Sequence, residues 1–202
     1  MAATIDLSYQ RLNPSKDGDA LALALLQRAA QLAPAPIPHR LLVRLAAHDP
    51  DDEGQAAEGD APLRRLAAVG LLELLPEGGT VLHRLVAAFV RAQDAEAQER
   101  VKRTVAAGLI AEVAAINTAD YPLRGTPYLV HLAYLSLHED RFEAEQAATL
   151  QANLGALLQD QGDLAGARPY YARALAIFEQ VRGPQHPHTN IVQGNLDALD
   201  TP

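Results

Sequence analysis

The chain has no cysteine, and its 202 residues include only two lysines, Lys16 and Lys102. Without cysteine there is no disulfide scaffold and no thiolate metal site. Aromatic residues make up 4% against 49% apolar residues in all, so the core must come from leucine, alanine and valine. That composition suits close-packed helices better than a sheet. No apolar run approaches the roughly 20 residues of a membrane span. The opening Met-Ala-Ala-Thr-Ile-Asp lacks the basic end and apolar block of a signal peptide. The expectation is a cytoplasmic protein with no membrane partner. A formal net charge of −8 and a pI near 5.3 argue against affinity for nucleic acid or acidic lipid.

Chemistry-bearing patterns are also missing. No G-x-x-x-x-G-K-[ST] sequence occurs, and Gly78-Gly79 sits in a turn between two apolar runs rather than between a strand and a helix. No phosphate cradle is therefore expected, and the chain is not expected to hydrolyse a nucleotide by itself. Ser8, Ser15 and Ser136 lack a nucleophile-elbow context. His186 and His188, with His131 and His138 upstream, form a poor chelate, because His-x-His in a proline-bounded linker lacks a third ligand. No metal, no cofactor in this chain and no catalytic group are expected.

What is present centres on residues 150–178. Leu150, Leu154, Leu157 and Leu158 recur on one face of a 3.6-residue period. Gly162 offers a helix stop tolerant of positive φ, and Asp163 is placed to cap the next helix. Ala167, Tyr171, Ala174, Leu175 and Phe178 share one side of that second helix, which Gly183-Pro184 ends. Gly155 leaves room for a close helix approach. The pair Asn153-Leu154 returns forty-two residues later as Asn195-Leu196.

These residues resemble the tetratricopeptide repeat: Leu154-Gly155, Gly162-Asp163, Ala167, Tyr171 and Ala174 fall at the motif's spacing. Gln151 stands where an aromatic is usual. A period longer than the simple repeat's roughly 34 residues, with Gly183-Pro184-x-His186-Pro187-x-Thr189 between the units, resembles the kinesin-light-chain type found in bacterial signalling ATPases. The resemblance implies binding of a protein or peptide. The expected partner-binding surface is Thr149, Ala152, Asn153, Ala156, Gln159 and Asp160, small and polar positions without a basic residue. A clamp for a C-terminal carboxylate, which needs cations, is not expected there. Asn153 and Asn195 are expected to bond between neighbouring helices. Residues 189–200 would form half of a next repeat. Its apolar side folds back on Tyr170 and Phe178, meets another chain by self-association, or continues a longer array.

Upstream, a helix is expected from Asp19 with Leu21, Leu25, Ala29 and Leu32 on one face. A second follows Pro38 with Leu41, Leu42 and Leu45 inward. The acidic stretch Asp49–Asp60, with Gly54 and Gly59, reads as a mobile loop before a third helix from Ala61. Residues 71–75 and 80–83 flank Pro76-Glu77-Gly78-Gly79, a hairpin signal. Leu85, Val86, Phe89 and Val90 continue as a helix. This order is that of a winged helix. The fold class expected is mainly α: a winged helix with a two-stranded β-hairpin, followed by α-helical tetratricopeptide-like hairpins.

As a DNA reader such a module would use Arg64 and Arg65, but the acidic residues just before them and Glu77 at the wing oppose phosphate. Leu7-Ser8-Tyr9-x-x-Leu12, the proline-rich Ala33–Pro38 link, and Leu82-His83-Arg84-Leu85-Val86 instead resemble the winged-helix domain of the NB-ARC class of STAND ATPases. That resemblance implies a nucleotide-binding domain of the same polypeptide as partner, and ADP or ATP bound in the parent protein. It also gives His83 a nucleotide-sensing role, in a motif where Arg84 replaces an acidic residue. The implied organisation is an N-terminal strap (1–16), a winged helix (17–95), a helical linker with a degenerate repeat (96–147), and a tetratricopeptide repeat plus half of a next one (148–202). The alternatives are a stand-alone adaptor and a DNA-binding regulator.

Overall fold

The computed structural model describes residues 2–76, 78–93, 95–118, 125–137 and 142–200. The fold is mainly helical with one small antiparallel sheet. It divides into two compact units, over residues 1–108 and 109–202.

The first unit contains α1 (Ala2–Gln10), α2 (Asp17–Ala29), β1 (Ile37–Pro38), α3 (His39–Leu45), α4 (Glu53–Ala68), β2 (Glu73–Leu74), β3 (Gly79–Val81) and α5 (Arg84–Arg91). The helix α6 (Ala95–Thr118) begins here and runs through the division. Leu25, Leu26, Leu41, Leu42, Leu63 and Leu66 are fully buried and form the core. Leu21, expected on the inner face of α2, turns outward and is 50% exposed. Tyr9 of α1 meets Phe89 of α5 edge to face at 5.5 Å. Asp19 joins α2 to α4 by accepting from Arg65 Nε at 2.5 Å, and it also accepts from the Asn13 backbone N–H at 3.0 Å.

One further expectation here needs correction. The acidic stretch is not a loop ahead of a helix from Ala61, because α4 starts at Glu53. Asp52 caps it by accepting from the Gln55 N–H at 2.9 Å, while Gln55 Oε1 accepts from the Asp49 N–H at 3.0 Å. The first bond satisfies one free donor of the helix start, and the second ties the preceding turn to it. Gly59 is buried against Val43, whose Cγ1 would lie 3.2 Å from an added Cβ, so the glycine serves helix contact rather than flexibility. The expected hairpin is formed by β2 and β3, and β1 joins it as a third strand in the order β1-β3-β2, with Ile37 opposite Thr80 and Leu74 opposite Thr80. The turn closes through Gly78, at φ 81°, and the Leu75 N–H donating to Gly79 O at 2.8 Å. Glu77 lies outside the described residues.

The second unit contains the end of α6 followed by α7 (Thr126–Ser136), α8 (Ala144–Asp160), α9 (Leu164–Arg182) and α10 (Pro187–Ala198). Leu109, Val113 and Ile116 of α6 are buried in step. The Tyr128 hydroxyl donates to the buried Glu112 at 3.3 Å. Asp140, which stands three residues before Glu143 and by that spacing would open a capping box, falls outside the described residues. Pro169 lies inside α9, which begins at Leu164 and runs on to Arg182.

Candidate functional site

Helices α8 and α9 form an antiparallel pair, and each connection in the sequence has a physical cause. Gly162 adopts φ 80°, which closes the turn, and Asp163 Oδ1 accepts from the Gly166 N–H at 2.9 Å to start α9. The two helices approach closely because Gly155 has no side chain: a Cβ there would lie 3.0 Å from the Tyr171 ring. Gly183, at φ 87°, ends α9, and Thr189 Oγ1 donates to Gly183 O at 2.9 Å. His186 then caps α10 by accepting at Nδ1 from the His188 N–H at 3.2 Å.

One apolar cluster joins Ala148 of α8, Ala167, Tyr171, Ala174 and Phe178 of α9, Val192 of α10, and Leu199 just after it. Residues 189–200 fold back on Phe178, as one expectation had it, while Tyr170 is not part of the cluster and Ile191 of α10 stays 60% exposed. Ion pairs brace the exterior. Arg182 reaches both Glu145 oxygens at 2.5 Å, which holds that carboxyl below the usual range, and Arg168 makes a two-point pair with Asp200.

The six residues expected to bind a partner lie along α8 but face different surroundings. Ala152 and Ala156 are partly buried against the α8–α9–α10 cluster. Gln159 Oε1 accepts from the Tyr171 hydroxyl at 2.8 Å. Thr149 Oγ1 donates to Glu145 O at 2.8 Å. Asp160 is at the surface end of the helix, where partial burial pushes its carboxyl up. Burial, with the nearby Asp160 carboxylate, pushes the Tyr171 phenol up to about 12. Asn153 is the exception among the six: its Nδ2 is buried and has no hydrogen-bond partner. The expected bond between neighbouring helices is therefore not made by that donor, although a buried amide normally finds a partner.

In the first unit His83 sits at the junction between β3 and α5, where its Nδ1 accepts from the Leu85 N–H at 3.2 Å. That acceptance puts the proton of the neutral ring on Nε2, and the residue is exposed. Of the two cations that a DNA-reading helix would use, Arg65 is held by Asp19, whereas Arg64 makes a single long contact with Asp60 at 3.4 Å and is otherwise open to solvent. His131 is fully buried, and His138 falls outside the described residues. Among the described residues no group of three or more His, Asp or Glu is placed to hold a metal ion, and no helix is long and apolar enough to cross a membrane. The unpartnered Asn153 donor was not foreseen. Only its recurrence as Asn195 hinted at it.

The second unit thus contains the helical hairpin α8–α9 with α10 stacked on it. Residues 147–188 match the tetratricopeptide repeat family. The chain carries a protein-interaction motif that is non-catalytic. No curated protein and no solved structure matches the chain.

Proposed function

We propose that this chain is a regulatory segment in which the repeat captures a protein or peptide and the first unit passes that event to a nucleotide switch. The observation that carries the capture step is Asn153. A buried amide donor without a partner is disfavoured, and turning that side chain outward lets a main-chain carbonyl of an extended segment along α8 supply the missing acceptor. Asn195 on α10 stands one repeat further on, so successive asparagines run along the array. A display selection of random twelve-residue peptides on the full chain tests this. Selected peptides should bind at least about tenfold more weakly to Asn153→Ala. Equal binding to that variant removes Asn153 from the site.

The finer reading places residues 17–95 as a winged helix of STAND type and residues 96–147 as its helical linker to the repeat at 148–202, with residues 1–16 as a strap. The order of helices and strands in the first unit, and the third strand β1 beside β3, support it. His83 supports the nucleotide-sensing role: with Nδ1 committed to the helix cap, the exposed Nε2–H is available to a phosphate oxygen of ADP held by a nucleotide-binding domain of the same polypeptide. Mass spectrometry of the native gene product tests the assignment. A product of 21.6 kDa would leave no room for that domain and favour the stand-alone adaptor.

A further inference from the structure

A half-open cavity of about 280 Å³ lies in the first unit between α4, the start of α3 and the β2–β3 turn. Leu63, Leu74 and Leu75 give it an apolar wall. Thr80 also lines it. That residue is 1% exposed, and its hydroxyl has no hydrogen-bond partner. Around the rim stand His39, Asp60 and Arg64. His39 Nε2 meets Asp60 Oδ1 at 2.5 Å, and Arg64 NH1 reaches Asp60 Oδ2 at 3.4 Å.

The donors and acceptors at this rim do not balance. Both Asp60 oxygens are engaged, so the carboxylate is not a spare acceptor. Arg64 has five N–H donors, is 63% exposed, and holds Asp60 only by that long contact. The surplus is therefore in donors: the guanidinium edge and the buried Thr80 hydroxyl. A guanidinium edge matches a carboxylate by two parallel hydrogen bonds. The three leucines require hydrocarbon beside it, and the volume is near the lower end for ligand sites, so the molecule is small.

We propose that this cavity binds a small carboxylic acid with an apolar body, its carboxylate on Arg64 and Thr80 and its hydrocarbon part on Leu63, Leu74 and Leu75. Such a ligand satisfies the orphaned hydroxyl and bridges α4 to the strand pair β2–β3. The site is separate from the repeat and does not depend on what the repeat binds.

Titrating the ¹⁵N-labelled full chain with phenylacetate and 4-methylpentanoate tests the proposal, with phenylacetamide as the uncharged counterpart. Saturable shifts are expected at the Gly78, Gly79 and Thr80 amides for at least one of the acids. Binding should be at least about tenfold weaker for the amide and for Arg64→Ala. Thr80→Val keeps the side-chain volume and removes the unpartnered hydroxyl, so it should melt no lower than the parent while also binding less well. Absence of saturable shifts with both acids, equal affinity for the amide, or undiminished binding to folded Arg64→Ala overturns the proposal.

Discussion

The Tyr171 ring fills the space that a side chain on Gly155 would occupy, with three ring carbons 3.0 to 3.1 Å from that Cβ position. Two effects compete on substitution. Alanine is favoured over glycine within a helix by roughly 0.5–1 kcal/mol, while overpacking a well-filled core costs typically 1–3 kcal/mol. Gly155→Ala is therefore expected to lie within about 1 kcal/mol of the parent, and Gly155→Val to lose about 2–3 kcal/mol. Urea unfolding followed by circular dichroism checks both. A valine variant as stable as the parent would mean that α8 and α9 are not in close contact there.

Two aspartates start helices. Removing the acceptor by Asp52→Ala or Asp163→Ala should destabilise by about 1 kcal/mol each. Asp163→Asn, which keeps an oxygen acceptor, should recover most of that loss in the same unfolding measurement.

Asp19 gives the acid response a sign. The Arg65 guanidinium beside it, and then the Asn13 N–H, hold its carboxyl below the ordinary aspartate value. A group with a lowered folded pKa contributes stability above its unfolded pKa and loses it as pH falls through the folded value. That loss sets in below about pH 4. Denaturant midpoints recorded from pH 7 down to pH 2 should fall less steeply in Asp19→Asn than in the parent.

At the alkaline end Tyr171 acts with the opposite sense. Its phenol is pushed up to about 12, first by burial and then by the Asp160 carboxylate. The unfolded phenol ionises near pH 10, so the stability this group contributes is complete below that value and declines as pH rises toward 12. Absorbance titration at 295 nm should show a component centred near pH 12 that Tyr171→Phe removes. The phenylalanine variant loses the bond to Gln159 at neutral pH, a change of about 1 kcal/mol.

How much of this was legible in the sequence follows from the distance between cause and effect. The hairpin at Gly162-Asp163 was readable because both its positive φ and its cap are set within four residues. The third strand was not. Ile37–Pro38 is too short and proline-bounded to carry a strand signal, and only its pairing with Gly79 and Thr80 defines it. The start of α4 was hidden by two glycines and a run of acids, whose helical role depends on Val43 and on the Asp52 cap. On α8 the periodicity gave the turn positions of Ala152, Ala156 and Gln159 but not which neighbour covers them. The cavity at Thr80 joins side chains from three parts of the chain, with no local motif to announce it.

The unfilled amide of Asn153 has one more consequence. A recognition element built on a neutral donor, with small uncharged side chains beside it, gains little from long-range attraction. Its grip should scarcely change between dilute buffer and high ionic strength, where interactions between charged partners are screened within about 10 Å or less. A partner held this way is selected by its shape and its backbone, whatever the salt around it.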